Sequence, residues 1–314
     1  MTYVFHRVML GLLTIAIVSI FVFVLLRLLP GDAALLRLQS SGTVSEAQIA
    51  AIREQLGIDK GPFEQFRIWV VALAHLDFGR SFVTDGSALT QLRRHLPITL
   101  ELVLVAWTLS IVIGVTLGSI AAAAQGTVID YISRMISIIG LSIPDFLGGT
   151  FFILVASLWF NWAAPPIYAS LFSDPITNLQ QFLPPALILG FILAGSIGRL
   201  TRSGLLEVFR QDYIRTARAK GLSNTWVLLR HAMPNGLLPV VTISGAQMGR
   251  LLGGSVVLET VFGLPGVGTW LVTALNYRDY PVVQLGTLFV AVVVVGMNLV
   301  TDLMVARLDP RIRY

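Results

Sequence analysis

Charged and amide side chains are scarce in this chain, and a few stand inside apolar runs where they could do chemistry. Gln247 and Arg250 interrupt the run from Leu237 to Leu258. Asn298 and Asp302 stand at i, i+4 positions, and so on one helical face, in the run from Val283 to Ala306. An ionised group within a bilayer is costly and faces the interior of a bundle or a hydrated path. Gln247 and Arg250 are therefore candidates for the wall of a solute pathway. Arg250 lies near mid-depth and Asp302 near the far end, so the two cannot pair. Asp302 is level with Arg199, Arg202 or Arg307, and a structural ion pair with one of them is expected. The densest basic cluster is "TARAKGLSNTWVLLRHAMPN", Thr216 to Asn235, wedged between two apolar runs.

Signs of catalysis are missing. No G-x-x-x-x-G-K-[ST] occurs: Lys60 precedes Gly61 and Lys220 precedes Gly221, and neither lysine ends a glycine-rich phosphate loop. There is no H-E-x-x-H and no cysteine, and His6, His75, His95 and His231 are scattered. The chain is not expected to be an enzyme or to hold a metal or cofactor of its own. Its net charge of +5 could suggest nucleic acid, but the arginines sit in connections and at the ends of apolar runs, where membrane topology places them.

The elements that must position these residues follow from composition. The chain is 55% hydrophobic and 12% charged, with mean hydropathy +0.79, and apolar runs of about 20 residues are long enough to cross a bilayer. Six spans are predicted: Val8–Leu29, Ile98–Ala124, Ile132–Phe160, Phe182–Leu200, Leu237–Leu258 and Val283–Ala306. The first is too long for a signal peptide and has no small-x-small cleavage site, so it is expected to stay as an anchor. The fold expected is all-α, one membrane domain over 1–314, with an insertion at 30–95 after the first span and a loop at 202–235 between the fourth and fifth. Within the insertion, "TVSEAQIAAIREQLGI" predicts an amphipathic helix capped by Ser45, with Ile49, Ile52 and Leu56 on one face.

Orientation follows from basic residues in the short connections. Arg199, Arg202, Arg210, Arg215, Arg218, Lys220 and Arg230 cluster between the fourth and fifth spans, and Arg307, Arg311 and Arg313 lie in the tail. The opposite connections, 161–181 and 259–281, hold only Arg278. The basic loop and both termini are thus expected to be cytoplasmic and the insertion external. The loop itself predicts two short helices around Gly221, the second capped by Ser223 or Asn224 and ending at Pro234.

Small residues recur at four-residue spacing: Gly114/Gly118, Gly190/Ala194/Gly198 and Gly245/Gly249/Gly253. Such faces allow close helix approach in lipid. "ETVFGLPGVGTW", with Phe262, Gly263, Leu264, Pro265, Gly266 and Gly268, suits a re-entrant cap between the last two spans.

Taken together, these strings resemble the permeases of binding-protein-dependent ABC importers, in the dipeptide, oligopeptide and nickel branch. "YIRTARAKGL" with "HAMPN" is similar to the EAA loop of that family, Ala217, Gly221 and Pro234 falling at its marker positions. "LLRLLPGD", "IREQLG" (52–57), "LDFGRSF" (76–82), "LPITLEL" (96–102), "SIPDF" (142–146), "ETVFGLPGVG" (259–268), "RDYPVVQ" (278–284) and "LDPRIR" (308–313) follow in the family's order. The resemblance implies an inner-membrane permease whose EAA loop is a coupling helix docking on a cytoplasmic ATPase through Arg215, Thr216, Ala217, Arg218 and Gly221. It makes Phe262, Gly263, Leu264, Pro265 and Gly266 an outer gate. It also implies a second homologous permease, one or two ATPase subunits carrying ATP and Mg, and an external substrate-binding protein, with di- or oligopeptides, nickel chelates or other peptide-like solutes as cargo. A transporter driven by an ion gradient is the alternative class. It would need carboxylates at mid-depth, for which Glu101 and Asp145 are the candidates. A membrane-anchored scaffold would use the basic loop without transport.

Overall fold

The structure, a computed structural model, describes residues 2–28, 34 and 46–308. Every named element among them is helical. Four helices are long and apolar enough to cross a membrane: α1 (Thr2–Leu28), α4 (Ala88–Ala123), α7 (Pro175–Phe209) and α13 (Tyr280–Leu308). Between α1 and α4 lie α2 (Glu46–Leu56) and α3 (Pro62–Ala74). Two bent pairs pass the same test. These are α5 (Val128–Ser142) with α6 (Asp145–Phe160), bent by 102°, and α11 (Leu238–Phe262) with α12 (Val267–Asn276), bent by 78°. Counting each pair once gives six spans.

The third apolar run is therefore not one straight span. Proline disfavours helical backbone at the residue before it and has no N–H to give. Ile143 accordingly leaves α5 extended, at φ −89° and ψ 121°, and Pro144 opens α6. At 1.5 Å per residue α4 and α7 are each over 50 Å long, well beyond the ~30 Å hydrocarbon core, so each carries one end out of the membrane. Asp174 caps α7, its Oδ1 accepting the Thr177 N–H at 3.1 Å.

The repeated small residues are the α4–α7 seam. A Cβ on Gly114 would meet Ile197 at 2.6 Å, one on Gly190 the carbonyl of Ala106 at 2.9 Å, and one on Gly118 would collide with the carbonyl of Gly198. On α11, Gly245 faces Thr301 and Gly249 faces Val294 of α13, whereas Gly253 has open space beside it. The central core joins Leu102, Ala106, Phe182, Leu189, Leu251, Leu258, Phe262 and Leu264.

Among the described residues, Asp302 pairs with neither Arg199 nor Arg202 as expected, and the Arg307 side chain lies outside them. Asp302 bonds Arg7 at 3.2 Å. α1 and α13 run side by side in opposite directions, so the start of one meets the end of the other. Arg202 instead holds Asp130, through Nε at 2.8 Å and Nη2 at 2.7 Å. The proposed cap Ser45 and the tail residues Arg311 and Arg313 lie outside the described residues.

Candidate functional site

Residues 211–236 fold into the two-helix unit that the basic loop predicts. α8 (Asp212–Ala219) ends before Gly221, whose φ of +81° is open to glycine at little cost. α9 (Asn224–Trp226) follows, with Ser223 as its cap: Ser223 Oγ accepts the Trp226 N–H at 3.3 Å. The winding then loosens to a π-helix over Val227–Ala232, and α10 (Met233–Gly236), with Pro234 in its first turn, leads into α11. Ile214, Ala217, Val227 and Ala232 bury themselves against Leu205, Val208 and Ala122, fixing the unit to the ends of α4 and α7.

Of the expected docking residues, Arg215, Thr216, Arg218 and Gly221 are exposed. Arg215 makes a loose pair with Asp212 at 3.4 Å, and the Arg218 guanidinium lies 5.6 Å from the Phe209 ring. Ala217 does not face outward. It is buried under α8, where its small side chain lets the helix sit close to α7. A cavity of ≈460 Å³ beside this surface is lined by Arg210, Arg218, Asn224 and Phe209 among others.

Gln247 and Arg250 part company in the structure. Gln247 is 1% exposed; its Nε2 donates to Ser196 Oγ at 2.5 Å across the α7–α11 seam, and its Oε1 has no partner among the described residues. Arg250 stands on the exposed face of α11, in a stripe with Ala246, Gly253, Val257 and Thr260. Glu101 and Asp145 are only partly exposed.

At the other end of the bundle, "ETVFGLPGVG" turns α11 into α12. Gly263 closes α11 at φ +68°, and Leu264 N–H bonds back to the Glu259 carbonyl at 2.8 Å. Phe262 and Leu264 are buried in the central core and Gly266 is buried beneath the turn, while Gly263 is exposed and Pro265 partly so. Sequence reasoning missed what holds this hairpin. The Glu259 carboxylate, 0% exposed, accepts the Thr99 hydroxyl at 2.6 Å and the Gly268 and Thr269 N–H groups at 2.8 and 3.1 Å. His95 Nδ1 donates to the Pro265 carbonyl at 2.7 Å, and Trp270 Nε1 to Gln91 Oε1 at 2.9 Å. A glutamate closing an apolar span just before a glycine-rich turn was the available signal.

The segment before α4 is pinned in a similar way. Asp279 is buried and accepts the Phe82 N–H at 2.9 Å and the Ser81 hydroxyl. Farther back, Arg27 Nε bonds Gln65 Oε1 at 2.9 Å, and Phe23 stacks on Trp69.

Residues 114–314 match the family described as binding-protein-dependent transport system inner membrane component, and residues 1–103 match the N-terminal part described for the same kind of membrane component. The chain belongs to this family. A glutathione transport system permease protein of Escherichia coli (strain K12) is 38% identical over 316 residues, covering 100% of this chain and 99% of its own. A Brucella abortus (strain 2308) protein named for a peptide transport system permease is 37% identical over 311 residues, covering 99% of this chain and 98% of its own. Among solved structures, an inward-facing methionine ABC transporter chain superposes with a TM-score of 0.55 at 20% identity, covering 70% of this chain and 97% of that one. The last likeness concerns the fold alone. This permease is the membrane component of a binding-protein-dependent ABC importer, so ATPase and substrate-binding partners go with it, and its place is the inner membrane.

Proposed function

We propose that this permease imports short peptides or peptide-like solutes, with di- and oligopeptides as the main cargo. It works beside a second, homologous permease. One or two ATPase subunits, which bind ATP and Mg, dock on the α8–Gly221–α9 unit through Arg215, Thr216, Arg218 and Gly221, with Ala217 setting the depth of α8. The unit and both chain termini lie in the cytoplasm, residues 202–235 forming the coupling loop of one membrane domain spanning 1–314. The 30–95 insertion and the α11–α12 hairpin lie outside, where the hairpin around Phe262–Gly266 gates the entrance and the binding protein delivers its load. Arg250 lines the pathway, and Gln247 backs it from the seam.

One observation carries this reading: α8 is rooted in the bundle by Ile214 and Ala217 while its basic face stays exposed. A rigidly seated, charged protrusion suits the transmission of movement from a docked motor. Arginine is also well shaped to pair with carboxylates there. The test is purification of the tagged chain from its native membranes in mild detergent. Recovery of a second six-span permease with P-loop ATPases supports the proposal, and the ligand on a co-purified binding protein identifies the cargo. Recovery of the chain alone, repeated after mild crosslinking, overturns it.

A further inference from the structure

We infer that Asp145 and Arg250 form the two halves of one binding site for a dipolar solute, the Asp145 carboxylate taking a cationic group and the Arg250 guanidinium an anionic one. This rests on the importer reading above and defines what passes its membrane wall.

The placement comes from two elements. The bend after Ser142 puts Asp145 at the first residue of α6, against α11: a Cβ on Gly254 would lie 3.0 Å from Asp145 Oδ2. At 1.5 Å per residue, Gly254 stands about 24 Å along α11 and Arg250 about 18 Å. α5 is about 22 Å long by the same measure, so it delivers the carboxylate to a similar level. Arg250 and Gly254 are i, i+4 neighbours on one face. Carboxylate and guanidinium therefore belong to one patch, deep inside the membrane span.

Yet the two charges do not close on each other. Arg7–Asp302 and Arg202–Asp130 form ion pairs toward one end of the bundle, while Asp145 and Arg250 have none among the described residues. An arginine at the centre of a span is costly to insert and is kept where it faces a partner or a hydrated path. With neither charge spent on an ion pair among the described residues, both groups are available to a third partner. The backbone there is bare: Gly253 has nothing within 4 Å of a Cβ, and Gly254 leaves room for the carboxylate. Around Arg250 the exposed stripe of Ala246, Gly253, Val257 and Thr260 carries no other charge. A patch with one charge of each sign matches a solute with one of each, such as a short peptide with free ends. It mismatches a solute with charge of one sign only.

The test uses the complete importer in liposomes, with binding protein loaded with a labelled dipeptide and present at saturation, so that its own affinity drops out of the rate. Arg250→Gln and Asp145→Asn are each expected to lower the maximal uptake rate at least tenfold, with partner subunits still co-purifying. The double variant should be little worse than the worse single one, because either loss already breaks a two-point site. Exchanging the charges, Arg250→Asp with Asp145→Arg, should recover part of the rate. Uptake within twofold of wild type in both single variants overturns the site while leaving the importer reading intact. Absence of uptake in the wild-type complex counts against the importer reading itself. If Arg250→Gln loses the second permease and Arg250→Lys regains it, Arg250 is an interface residue and the site is wrong.

Discussion

Thr99 on α4 donates its hydroxyl hydrogen to Glu259 Oε1 on α11 at 2.6 Å, and its own oxygen accepts the Val267 N–H of α12 at 2.8 Å. One hydroxyl thus ties three helices together at the α11–α12 hairpin. Glu259 Oε2 meanwhile accepts the first free N–H groups of α12 from Gly268 and Thr269. Helix N-terminal amides otherwise lack partners, so the carboxylate acts as a cap supplied from a neighbouring helix.

Glu259→Ala would leave two amides and a hydroxyl buried without an acceptor, each at a cost of about 1–3 kcal/mol. Thermal unfolding of the purified complex should begin several degrees lower. Glu259→Gln keeps the volume and one acceptor and should fall between. An unchanged midpoint for the alanine variant would mean that Phe262 and Leu264 hold the hairpin by apolar contact alone.

Gly268 tests the same knot from the other side. A Cβ there would lie 2.6 Å from the Val256 backbone and 2.8 Å from Glu259 Oε2. Gly268→Ala should therefore destabilise the hairpin about as much as Glu259→Ala, and the double variant should cost less than the sum of the two. Additive losses in a double-mutant cycle would show that the glycine and the carboxylate act separately.

The Arg202–Asp130 fork buries a carboxylate that also accepts the Gly126 N–H at 3.0 Å. Breaking a buried pair from one side costs about 3–5 kcal/mol. Arg202 keeps some exposure, so Asp130→Asn should fall at the low end, near ~3 kcal/mol. Arg202→Lys should recover little, because an ammonium cannot make the fork. Chemical unfolding of both variants measures this, and equal stability of Lys and Arg at this position would refute the bidentate argument.

Much of this was legible in the sequence. Apolar runs located α1, α4, α7 and α13, because burial in lipid is read directly from hydropathy. Four-residue spacing of Gly114/Gly118 with Gly190/Ala194/Gly198 marked a close helix contact, and Gly221 marked the break between α8 and α9, whereas Pro234 does not end the second helix but stands in the first turn of α10, where a missing N–H costs no bond. The bend at Ile143–Pro144 was signalled by its proline but hidden in an unbroken apolar run. The facing of Ala217 was hidden too, since an eight-residue helix takes its phase from whatever it packs on. Thr99 and Glu259 meet across 160 positions, a separation local patterns do not cross. Asp302's partner was missed: Arg7 stands nearly 300 positions away, and only the antiparallel packing of α1 on α13 brings the two together.

Asp279 gives the attachment of the Ser81–Thr84 turn a pH dependence. Burial pushes its carboxyl above the usual range, against the pull of the Ser81 hydroxyl and the Phe82 N–H. The folded state therefore binds this proton more tightly than the unfolded state, whose aspartate titrates at about 3.9. Attachment should be strongest below that value and weaken as pH rises through the folded one. Hydrogen exchange of the 81–84 amides, corrected for intrinsic rate, should lose protection as pH rises above the unfolded value of about 3.9, and Asp279→Asn should flatten the profile. Protection that rises with pH would mean that the bonds to the carboxylate outweigh its burial.

Arg215 separates the proposed docking role of α8 from its part in stability. Its pair with Asp212 is fully at the surface, with side chains 82% and 92% exposed, and such pairs add little to folding. Arg215→Glu should leave the unfolding midpoint of the permease unchanged. Facing carboxylates on a docked ATPase, the reversed charge should cut co-purification of that subunit and uptake at least tenfold. Raising the salt should weaken the wild-type complex in the same direction, because exposed charge pairs are screened over about 8 Å at physiological ionic strength. Gly221→Ala offers the geometric counterpart: nothing crowds a Cβ there, so its cost is only the strain of φ +81°, about 1 kcal/mol. If Arg215→Glu left both ATPase recovery and uptake at wild-type levels, the basic face of α8 would not be the contact, and the π-wound stretch from Val227 to Ala232 would become the surface to test.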